Sequence, residues 1–470
     1  MPDFDLAVIG AGAAGLSVTA VAAQLGLRVA LIERDRMGGD CLNFGCVPSK
    51  ALLAASHAAQ AARAAARFGI RLPEPEIDWH AVQEHVHGVI AAIEPTDSAA
   101  RFRSLGATVL RGEARFVAPD TLAVDGRRLT ARRIVIAAGS TAFVPPIPGL
   151  ETMPFLTNAT VFDLAQRPEH LLILGGGPIG LELADAFSGL GSRVTVVEAA
   201  TIAGREDPEL VAGLREQLAA RSVTLLEGVE VKAVAAGPSL VLADGRHIAG
   251  SHLLVAVGRR PNLAALDLTA GNVRAGPAGI VTDRGLRSLT NRRVYAVGDI
   301  ADPLGIGPRA FTHVGSYHAG IVIRRALFRL PARIDYDALP HVTYTRPELA
   351  QVGMTEAEAR AAGHRVSVLR WPLTDNDRAV AERDTPGLVK LVAAGSRVVG
   401  AGILAPTAGE MIGLWTLAIA QRVKLAMIAS LIAPYPTRTE AGKRAAGTYF
   451  APKLFAPRTK ALVRLLAQLP

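Results

Sequence analysis

The chain has 470 residues, enough for about three domains, and half of them are hydrophobic, so a large core can form. No apolar run reaches the ~18 residues of a transmembrane helix, and the first residues lack the features of a signal peptide. We therefore expect a cytoplasmic protein without a membrane span. The formal net charge of +9 favours anionic ligands such as dinucleotide phosphates, and no nucleic-acid-binding motif accompanies it.

The first predicted unit consists of a strand, a glycine-rich turn, a helix and a second strand. The strands span residues 5–9 and 27–32, and an alanine-rich helix between them runs to about Leu25. The turn has G-x-G-x-x-G spacing at Gly10, Gly12 and Gly15. The second strand ends at Glu33. In such a unit the glycines let the backbone approach a pyrophosphate, and the acid binds a ribose hydroxyl, so we predict a dinucleotide site.

Both cysteines of the chain, Cys41 and Cys46, follow in residues 38–50, GGDCLNFGCVPSK. Regular helix would separate them by roughly 7.5 Å along the axis, beyond the ~7 Å limit for a disulfide. The backbone must therefore bend for the thiols to meet, and Asn43 and Gly45 tolerate bending. A thiol at the start of the following helix is favoured as the reactive thiolate. In a reducing compartment such a pair is typical of catalysis, and two buried structural cysteines are the alternative.

The same pattern of strand, turn, helix and strand recurs from residue 171. The strands span residues 171–174 and 193–197, and the second ends at Glu198. The turn glycines are Gly175, Gly177 and Gly180. Two dinucleotide sites in one chain favour FAD together with a nicotinamide cofactor. The acid favours NADH, whereas the nearby Arg205 keeps NADPH as a possibility.

Later stretches complete the predicted organisation. Residues 134–139 read as a strand that ends in small residues, and LLVAVGRRPN at 253–262 ends the second unit in the same style. The sequence VYAVGD at 294–299 is a strand that ends at Asp299, for which an ordinary solvated loop aspartate is the alternative. From Tyr336 the pattern changes to alternating strands and two helices.

These motifs, in this order, resemble the class I pyridine nucleotide-disulfide oxidoreductases, the family of lipoamide dehydrogenase, glutathione reductase and mercuric reductase. The resemblance implies an α/β fold with two Rossmann-like dinucleotide-binding domains, for FAD and NAD(P), plus a C-terminal α+β dimerisation domain. It also implies a homodimer whose active sites are shared across the interface. The expected domains are an FAD-binding domain at 1–149, an NAD(P)-binding domain at 150–270, a central domain that completes the FAD site at 271–335, and a dimerisation domain at 336–470.

The resemblance implies roles for individual residues as well. Cys46 would be the thiol next to the flavin, and Cys41 the thiol that exchanges with substrate. Lys50 would place a cation near the reactive flavin atoms with Glu182 as its partner, and Asp299 would bind the ribityl chain of FAD. Further implied cofactor-binding positions are Gly39, Ala114, Gly139 and Gly258.

One segment departs from most of the family. Tyr435 stands where lipoamide dehydrogenase and glutathione reductase have a histidine that serves as acid and base, while Glu440 of the same segment remains. A phenol with a pKa near ~10 is a poor base at neutral pH. Mercuric reductase also has tyrosine here, and residues 371–389 resemble that branch too. The C-terminal cysteine pair and N-terminal metal-binding domain of that enzyme are not found in this sequence, and its histidines form no metal-ligand framework.

We therefore expect an enzyme that passes hydride from NADH or NADPH through FAD to a Cys41–Cys46 disulfide. The final acceptor would be a soft metal ion, a small disulfide or an oxidised sulfur compound. Dithiol oxidation of the dihydrolipoamide dehydrogenase type is an alternative, which Tyr435 disfavours. A catalytically vestigial, flavin-bound scaffold dimer is the alternative from another class, and it would need none of the implied catalytic residues.

The tail from Lys443 contains six lysines and arginines and no acid. It fits two interpretations. One is contact with a membrane surface or another anionic partner. The other is a solvated basic face on a terminal helix.

Overall fold

The computed structural model describes residues 1–235 and 237–469. The chain divides into two compact units. Unit 1 comprises Met1–Gly175 and Val231–Ile334, and unit 2 comprises Gly176–Glu230 and Asp335–Pro470. Ala236 and Pro470 belong to the predicted NAD(P)-binding and dimerisation domains but lie outside the described residues. The bounds of the four predicted domains remain a prediction.

The first half of the chain contributes the first segment of each unit. The first segment of unit 1 contains β1 (Phe4–Ile9), α1 (Ala13–Gln24), β2 (Val29–Glu33), α2 (Gly39–Asn43), α3 (Cys46–Ala64), α4 (Trp79–Asp97), α5 (Ala99–Ser104), β3 (Thr108–Arg111), β4 (Ala114–Ala118), β5 (Thr121–Val124), β6 (Arg127–Ile136), β7 (Ser140–Ala142) and β8 (His170–Leu174). The first segment of unit 2 contains α6 (Pro178–Gly189), β9 (Arg193–Glu198), α7 (Pro208–Ala220) and β10 (Val223–Glu227).

The second half of the chain completes both units. Unit 1 continues with β11 (Val231–Ala235), β12 (Ser239–Leu242), β13 (His247–Ala249), β14 (His252–Val255), β15 (Arg259–Pro261), β16 (Ala275–Gly276), β17 (Gly279–Thr282), β18 (Val294–Ala296), β19 (Ala301–Pro303) and α8 (Thr312–Val322). Unit 2 continues with β20 (Pro340–Thr343), β21 (Glu348–Gly353), α9 (Glu356–Ala361), β22 (Val366–Pro372), α10 (Asp377–Ala381), β23 (Leu388–Ala394), β24 (Arg397–Ala405), α11 (Ala408–Ala420), α12 (Leu425–Ala429), α13 (Thr439–Thr448), α14 (Ala451–Leu454) and α15 (Pro457–Leu466).

Unit 1 is built on a sheet in the order β3-β2-β1-β6-β5-β4, with β18 also paired to β6. Strands β3, β2, β1, β6 and β18 are parallel to one another, and helix α1 connects β1 to β2 and packs against α8. The register aligns Ile9 with Ile32 and Ile136, and Ile136 with Ala296. Because the carboxyl ends of these strands lie at one edge of the sheet, the residues that follow them gather there, which is where such sheets bind ligands.

Unit 2 combines the parallel pair β9–β10 with a five-stranded antiparallel sheet in the order β20-β21-β24-β23-β22. The antiparallel sheet shares a core of buried apolar side chains with α11, α12 and α13, and Trp415 is the largest of them. Lys390 on β23 is buried, and its Nζ lies 2.8 Å from Asp207 and 2.9 Å from Glu209. Since Asp207 also caps α7, this ion-pair cluster fixes the start of that helix against the sheet.

Candidate active site

The two cysteines lie on consecutive helices separated by a sharp break. Cys41 belongs to the short helix α2, Cys46 is the first residue of α3, and Gly45 precedes α3 in a non-helical conformation. Asn43 is the last residue of α2, and its side chain donates hydrogen bonds to the carbonyls of Gly39 at 2.8 Å and Met37 at 3.0 Å. The break is thus at Gly45, whereas Asn43 holds the turn together through its amide.

The break brings the thiols of Cys41 and Cys46 into hydrogen-bond contact. Cys46 is exposed, and its Sγ lies 3.2 Å from the hydroxyl of Thr312 at the start of α8; Cys41 is partly buried. The hydrogen bond with Cys46, followed by burial, raises the pKa of Cys41, and the negative charge of Asp40 adds to this effect. In the dithiol state Cys41 is therefore a thiol that keeps its proton close to the Cys46 sulfur.

The first glycine-rich turn lies beside these cysteines. Gly39, just before Cys41, approaches Gly12 of this turn so closely that no side chain fits between them. A Cβ on Gly39, whose φ is +58°, would lie 2.7 Å from the Cα of Gly12. Gly12 also caps α1 without a side-chain hydrogen bond. The carboxylate of Glu33 accepts hydrogen bonds from the N–H groups of Ala11 at 2.7 Å and Asp35 at 2.8 Å. A bare helix N-terminus between closely approaching glycines, with an acid at its side, fits a dinucleotide pyrophosphate and its ribose.

The second glycine-rich turn has the same hydrogen-bonding pattern in unit 2. Glu198 accepts from the N–H groups of Gly176 at 2.7 Å and Ala200 at 2.9 Å. Gly177 caps α6, again without a side-chain hydrogen bond, and Gly180 is buried within that helix. No atom lies within 4 Å of a Cβ placed on Gly177. This turn also fits a dinucleotide, with open space above its middle glycine.

A partly buried polar network that the sequence did not predict lies beside the cysteines in unit 1. Arg259 forms an ion pair with Asp40 at 3.1 Å and donates to the hydroxyl of Ser140 at 2.8 Å, and this hydroxyl donates to Asp299 at 2.6 Å. Asn158 donates to Asp40 at 2.9 Å. Burial raises the pKa of Asp299, and the hydrogen bond from Ser140 opposes this effect.

Network members come from five separate parts of the chain. The only local signals were an acid next to Cys41 and an arginine in the sequence GRRPN. Neither signal indicates that the two would meet.

The remaining implied cofactor positions lie at strand ends of unit 1. Ala114 is buried at the start of β4. Gly139 follows β6, and its carbonyl accepts from the N–H of Asn262 at 3.0 Å. Gly175 and Gly258 follow β8 and β14. The structure therefore puts each of them at a turn or strand end, and their cofactor contacts remain a prediction.

Two further residues with implied roles lie on helices. Lys50 is one turn past Cys46 on α3, and its Nζ lies 3.4 Å from the Ser49 hydroxyl. Glu182 is buried on α6 of unit 2, and it accepts a hydrogen bond from the N–H of Tyr344 at 3.0 Å. Glu182 is therefore a buried, hydrogen-bonded residue and not an exposed one on the helix surface.

Tyr435 and Glu440 lie close together near the end of unit 2. The side chain of Tyr435 is 68% exposed, and its hydroxyl donates to Asp377 at 2.8 Å. This hydrogen bond, with the charge of Asp377, raises the pKa of Tyr435, and the charge of Glu440 acts in the same direction. Glu440 is paired with Arg444 at 3.0 Å. The phenol is therefore held as a hydrogen-bond donor, and it is an even poorer base than free tyrosine.

Comparison with known families agrees with this geometry. The family described as pyridine nucleotide-disulphide oxidoreductase matches residues 4–357, and the dimerisation domain of the same family matches residues 339–446. The chain belongs to the pyridine nucleotide-disulphide oxidoreductases. This confirms the predicted fold class and makes the protein an FAD-dependent enzyme that uses NAD(P)H. The dimerisation domain supports a homodimer.

Mercuric reductases are among the relatives of the chain. The chain is 39% identical over 464 residues to a mercuric reductase of Streptomyces lividans, covering 95% of this chain and 96% of that protein. A mercuric reductase of Acidithiobacillus ferrooxidans is 36% identical over 466 residues, covering 95% and 83%.

Two solved structures resemble the whole chain. The Cu(II) complex of RclA, a HOCl-induced flavoprotein disulfide reductase of Escherichia coli, is 26% identical with a TM-score of 0.85, covering 95% of this chain and 100% of that one. LpdA of Mycobacterium tuberculosis is 27% identical with a TM-score of 0.85, covering 94% and 99%.

Within the described residues, no group of three or more histidine, cysteine, aspartate or glutamate side chains is arranged to hold a metal ion. No helix in the same part of the chain is long and apolar enough to cross a membrane.

Proposed function

We propose that this enzyme uses NAD(P)H to reduce a soft metal ion, with Hg(II) as the first candidate, and small disulfides or oxidised sulfur compounds as further acceptors. The observation that carries the proposal is the contact between the Cys41 and Cys46 thiols at the start of α3. Paired thiolates are the ligands that soft metals prefer. The mercuric reductases among the relatives and the Cu(II) complex of RclA support a metal acceptor.

When bound, FAD would carry two electrons from the nicotinamide to the cysteine pair. The N-terminus of α3 favours negative charge on Cys46, while Cys41 keeps a proton that it releases when a metal or a substrate sulfur arrives. Lys50 and Glu182 would keep the roles that the family resemblance gives them. Asp299, Gly12 and the other implied positions around the first glycine-rich turn would hold FAD, and Gly177 and Glu198 of the second turn would hold NAD(P)H.

The chemistry balances for both kinds of acceptor. With a disulfide, the Cys41 sulfur attacks one substrate sulfur and releases one thiol; Cys46 then attacks Cys41, releases the second thiol and restores the enzyme disulfide. With Hg(II), Cys41 and Cys46 replace the thiolate ligands of the incoming ion, and two electrons from one NAD(P)H convert it to the element. Because the chain has no other cysteine, the ion must pass to this pair directly from its small-molecule ligands.

Tyr435 would act beside the thiols of the partner subunit, together with Glu440, in active sites shared across the dimer. The single phenol proton is donated to Asp377 in this structure, and on turning to the thiols it would stabilise bound thiolate or metal-bound sulfur. The phenol cannot remove a proton from a dithiol substrate at neutral pH. This disfavours dihydrolipoamide oxidation, the second candidate. Tyr435→His should raise dihydrolipoamide turnover at least about tenfold, since a positioned general base contributes roughly 10²–10⁴-fold. An unchanged rate would contradict this role for Tyr435.

The test is NAD(P)H oxidation by the purified, FAD-loaded enzyme under anaerobic conditions. The acceptors are Hg(II) with excess small thiol, Cu(II), glutathione disulfide, lipoamide and a quinone. We expect turnover with Hg(II), and its loss in Cys41→Ser and Cys46→Ser. Faster turnover with lipoamide than with any metal or small disulfide would overturn the proposal in favour of the second candidate. No bleaching of the flavin by NADH or NADPH would favour a non-catalytic scaffold.

A further inference from the structure

The chain continues beyond the matched dimerisation domain as two short helices. The family match ends at residue 446, whereas α14 spans Ala451–Leu454 and α15 spans Pro457–Leu466. We call residues 451–469 the tail segment. No described residue of α14 or α15 is buried. The tail segment is therefore a feature that the family fold does not account for, and its helices use none of their apolar side chains within the subunit core.

Helix α15 has two different sides. At 3.6 residues per turn, Leu462, Leu465 and Leu466 lie on one side, and Lys460 and Arg464 lie on the opposite side. Arg458, in the first turn, falls on the leucine side. The three leucines are 54%, 61% and 51% exposed. Just outside α15, the side chains of Leu454, Phe455 and Leu469 are exposed as well. With Val463, which is 56% exposed, the tail segment has seven exposed large apolar side chains in nineteen residues. A solvated basic face, one of the two interpretations of the sequence, does not explain them.

The charge of the tail segment has a single sign. It carries exposed cations at Lys453, Arg458, Lys460 and Arg464, and no aspartate or glutamate follows Glu440. Such a helix complements an anionic surface.

We propose that the tail segment binds the surface of a membrane that contains anionic phospholipid. Helix α15 is about 15 Å long, half the thickness of a bilayer core, so it lies in the interface rather than crossing it. The leucines enter the boundary of the acyl chains, and Lys460 and Arg464 remain among the phosphates. This inference does not depend on which acceptor the enzyme reduces.

The experiment is sedimentation of the full-length, FAD-loaded enzyme with vesicles. One set contains phosphatidylcholine alone, and the other contains phosphatidylcholine and phosphatidylglycerol. We expect binding to the anionic vesicles only, weakened by high salt, since exposed charges are screened. Lys460→Gln with Arg464→Gln should lower partitioning about thirtyfold, since each cation near an anionic surface contributes roughly fivefold. Leu462→Gln with Leu466→Gln should lower it at least as much.

Matched controls are available because the altered side chains are exposed. Leu304→Gln changes an exposed leucine of unit 1, and Arg71→Gln with Arg103→Gln removes two exposed cations outside the tail segment. These controls should bind as the unaltered enzyme does, and all tail variants should keep its NADH oxidation rate. Equal binding to both vesicle types, or binding that survives the leucine changes, would overturn the proposal. So would conversion of a dimer into monomers by the leucine changes in light scattering, which would identify the tail as a protein interface.

Discussion

The two glycine-rich turns share their sequence spacing and their hydrogen bonds but differ in how much room surrounds them. In both, a strand-end glutamate accepts from two backbone N–H groups, at Ala11 and Asp35 in unit 1 and at Gly176 and Ala200 in unit 2. In unit 1, however, the turn that precedes Cys41 packs directly against Gly12, the middle glycine of the first turn. The first turn suits a cofactor that stays bound, and the second suits one that enters and leaves in every catalytic cycle.

The largest expected effect comes from adding a methyl group where Gly39 packs against Gly12 of the first turn. In Gly39→Ala the new Cβ would lie 2.7 Å from the Cα of Gly12, at a φ of +58° that alanine rarely adopts. We expect the purified protein to lose most of its FAD, measured as the ratio of flavin to protein absorbance after desalting. Full retention of FAD would show that the first turn has more room than the structure indicates.

Two further variants distinguish the cofactor bound near Glu198 from the cofactor bound near Glu33. Glu198→Ala should raise the KM for NADH about tenfold or more, because a charge-assisted hydrogen bond to the ribose contributes roughly 1.5–3 kcal/mol. The KM for NADPH should change less. Glu33→Ala should weaken FAD retention and leave the KM for NADH of the remaining holoenzyme unchanged. Equal effects of Glu198→Ala on NADH and NADPH would contradict the preference for NADH.

A third variant tests the acid beside the cysteines. The pKa of Cys41 is raised, so its thiol stays protonated at neutral pH and reacts slowly; removal of the nearby negative charge in Asp40→Asn lowers that pKa. Alkylation of Cys41 by iodoacetamide in the NADH-reduced enzyme should then begin at lower pH and proceed faster at pH 7, because the thiolate is the nucleophile.

The control for that variant is Asp163→Asn, which removes an exposed acid paired with His87. It should leave the pH profile of Cys41 in place. Peptide mapping by mass spectrometry distinguishes Cys41 from Cys46. A profile that stays fixed, or moves to higher pH, in Asp40→Asn would refute the electrostatic role of Asp40.

The smallest effect on FAD content is expected from a change in the second turn. In Gly177→Ala the Cβ enters open space, since no protein atom lies within 4 Å of it, and the glycine has an ordinary negative φ of −79°. FAD content should not change, whereas the KM for NADH should rise, because the new methyl group occupies the space through which the backbone would approach the pyrophosphate of NADH. Loss of FAD here would remove the contrast between the two turns.

The sequence predicted what depends on local chemistry. Glycine spacing, acids at strand ends and a close cysteine pair act over a few neighbouring residues, so Glu33, Glu198, Cys41 and Cys46 could be identified directly. The network around Arg259 could not, because the register of a sheet brings its members together from distant segments. The sequence left two interpretations of the tail open. Its charge can be read from the sequence, whereas the exposure of Leu462 depends on how the chain folds.

The discontinuous course of unit 1 has a consequence for biosynthesis. The hydroxyl beside Cys46 belongs to Thr312, and Asp299 follows a strand that pairs with β6 from the first segment. A nascent chain that has emerged only to Gly175 therefore has the cysteines and the first glycine-rich turn, but not the other half of the pocket. The FAD contact proposed for Asp299 can form only after about two thirds of the polypeptide has left the ribosome, and translation arrest before that point releases a fragment with an unfinished sheet edge.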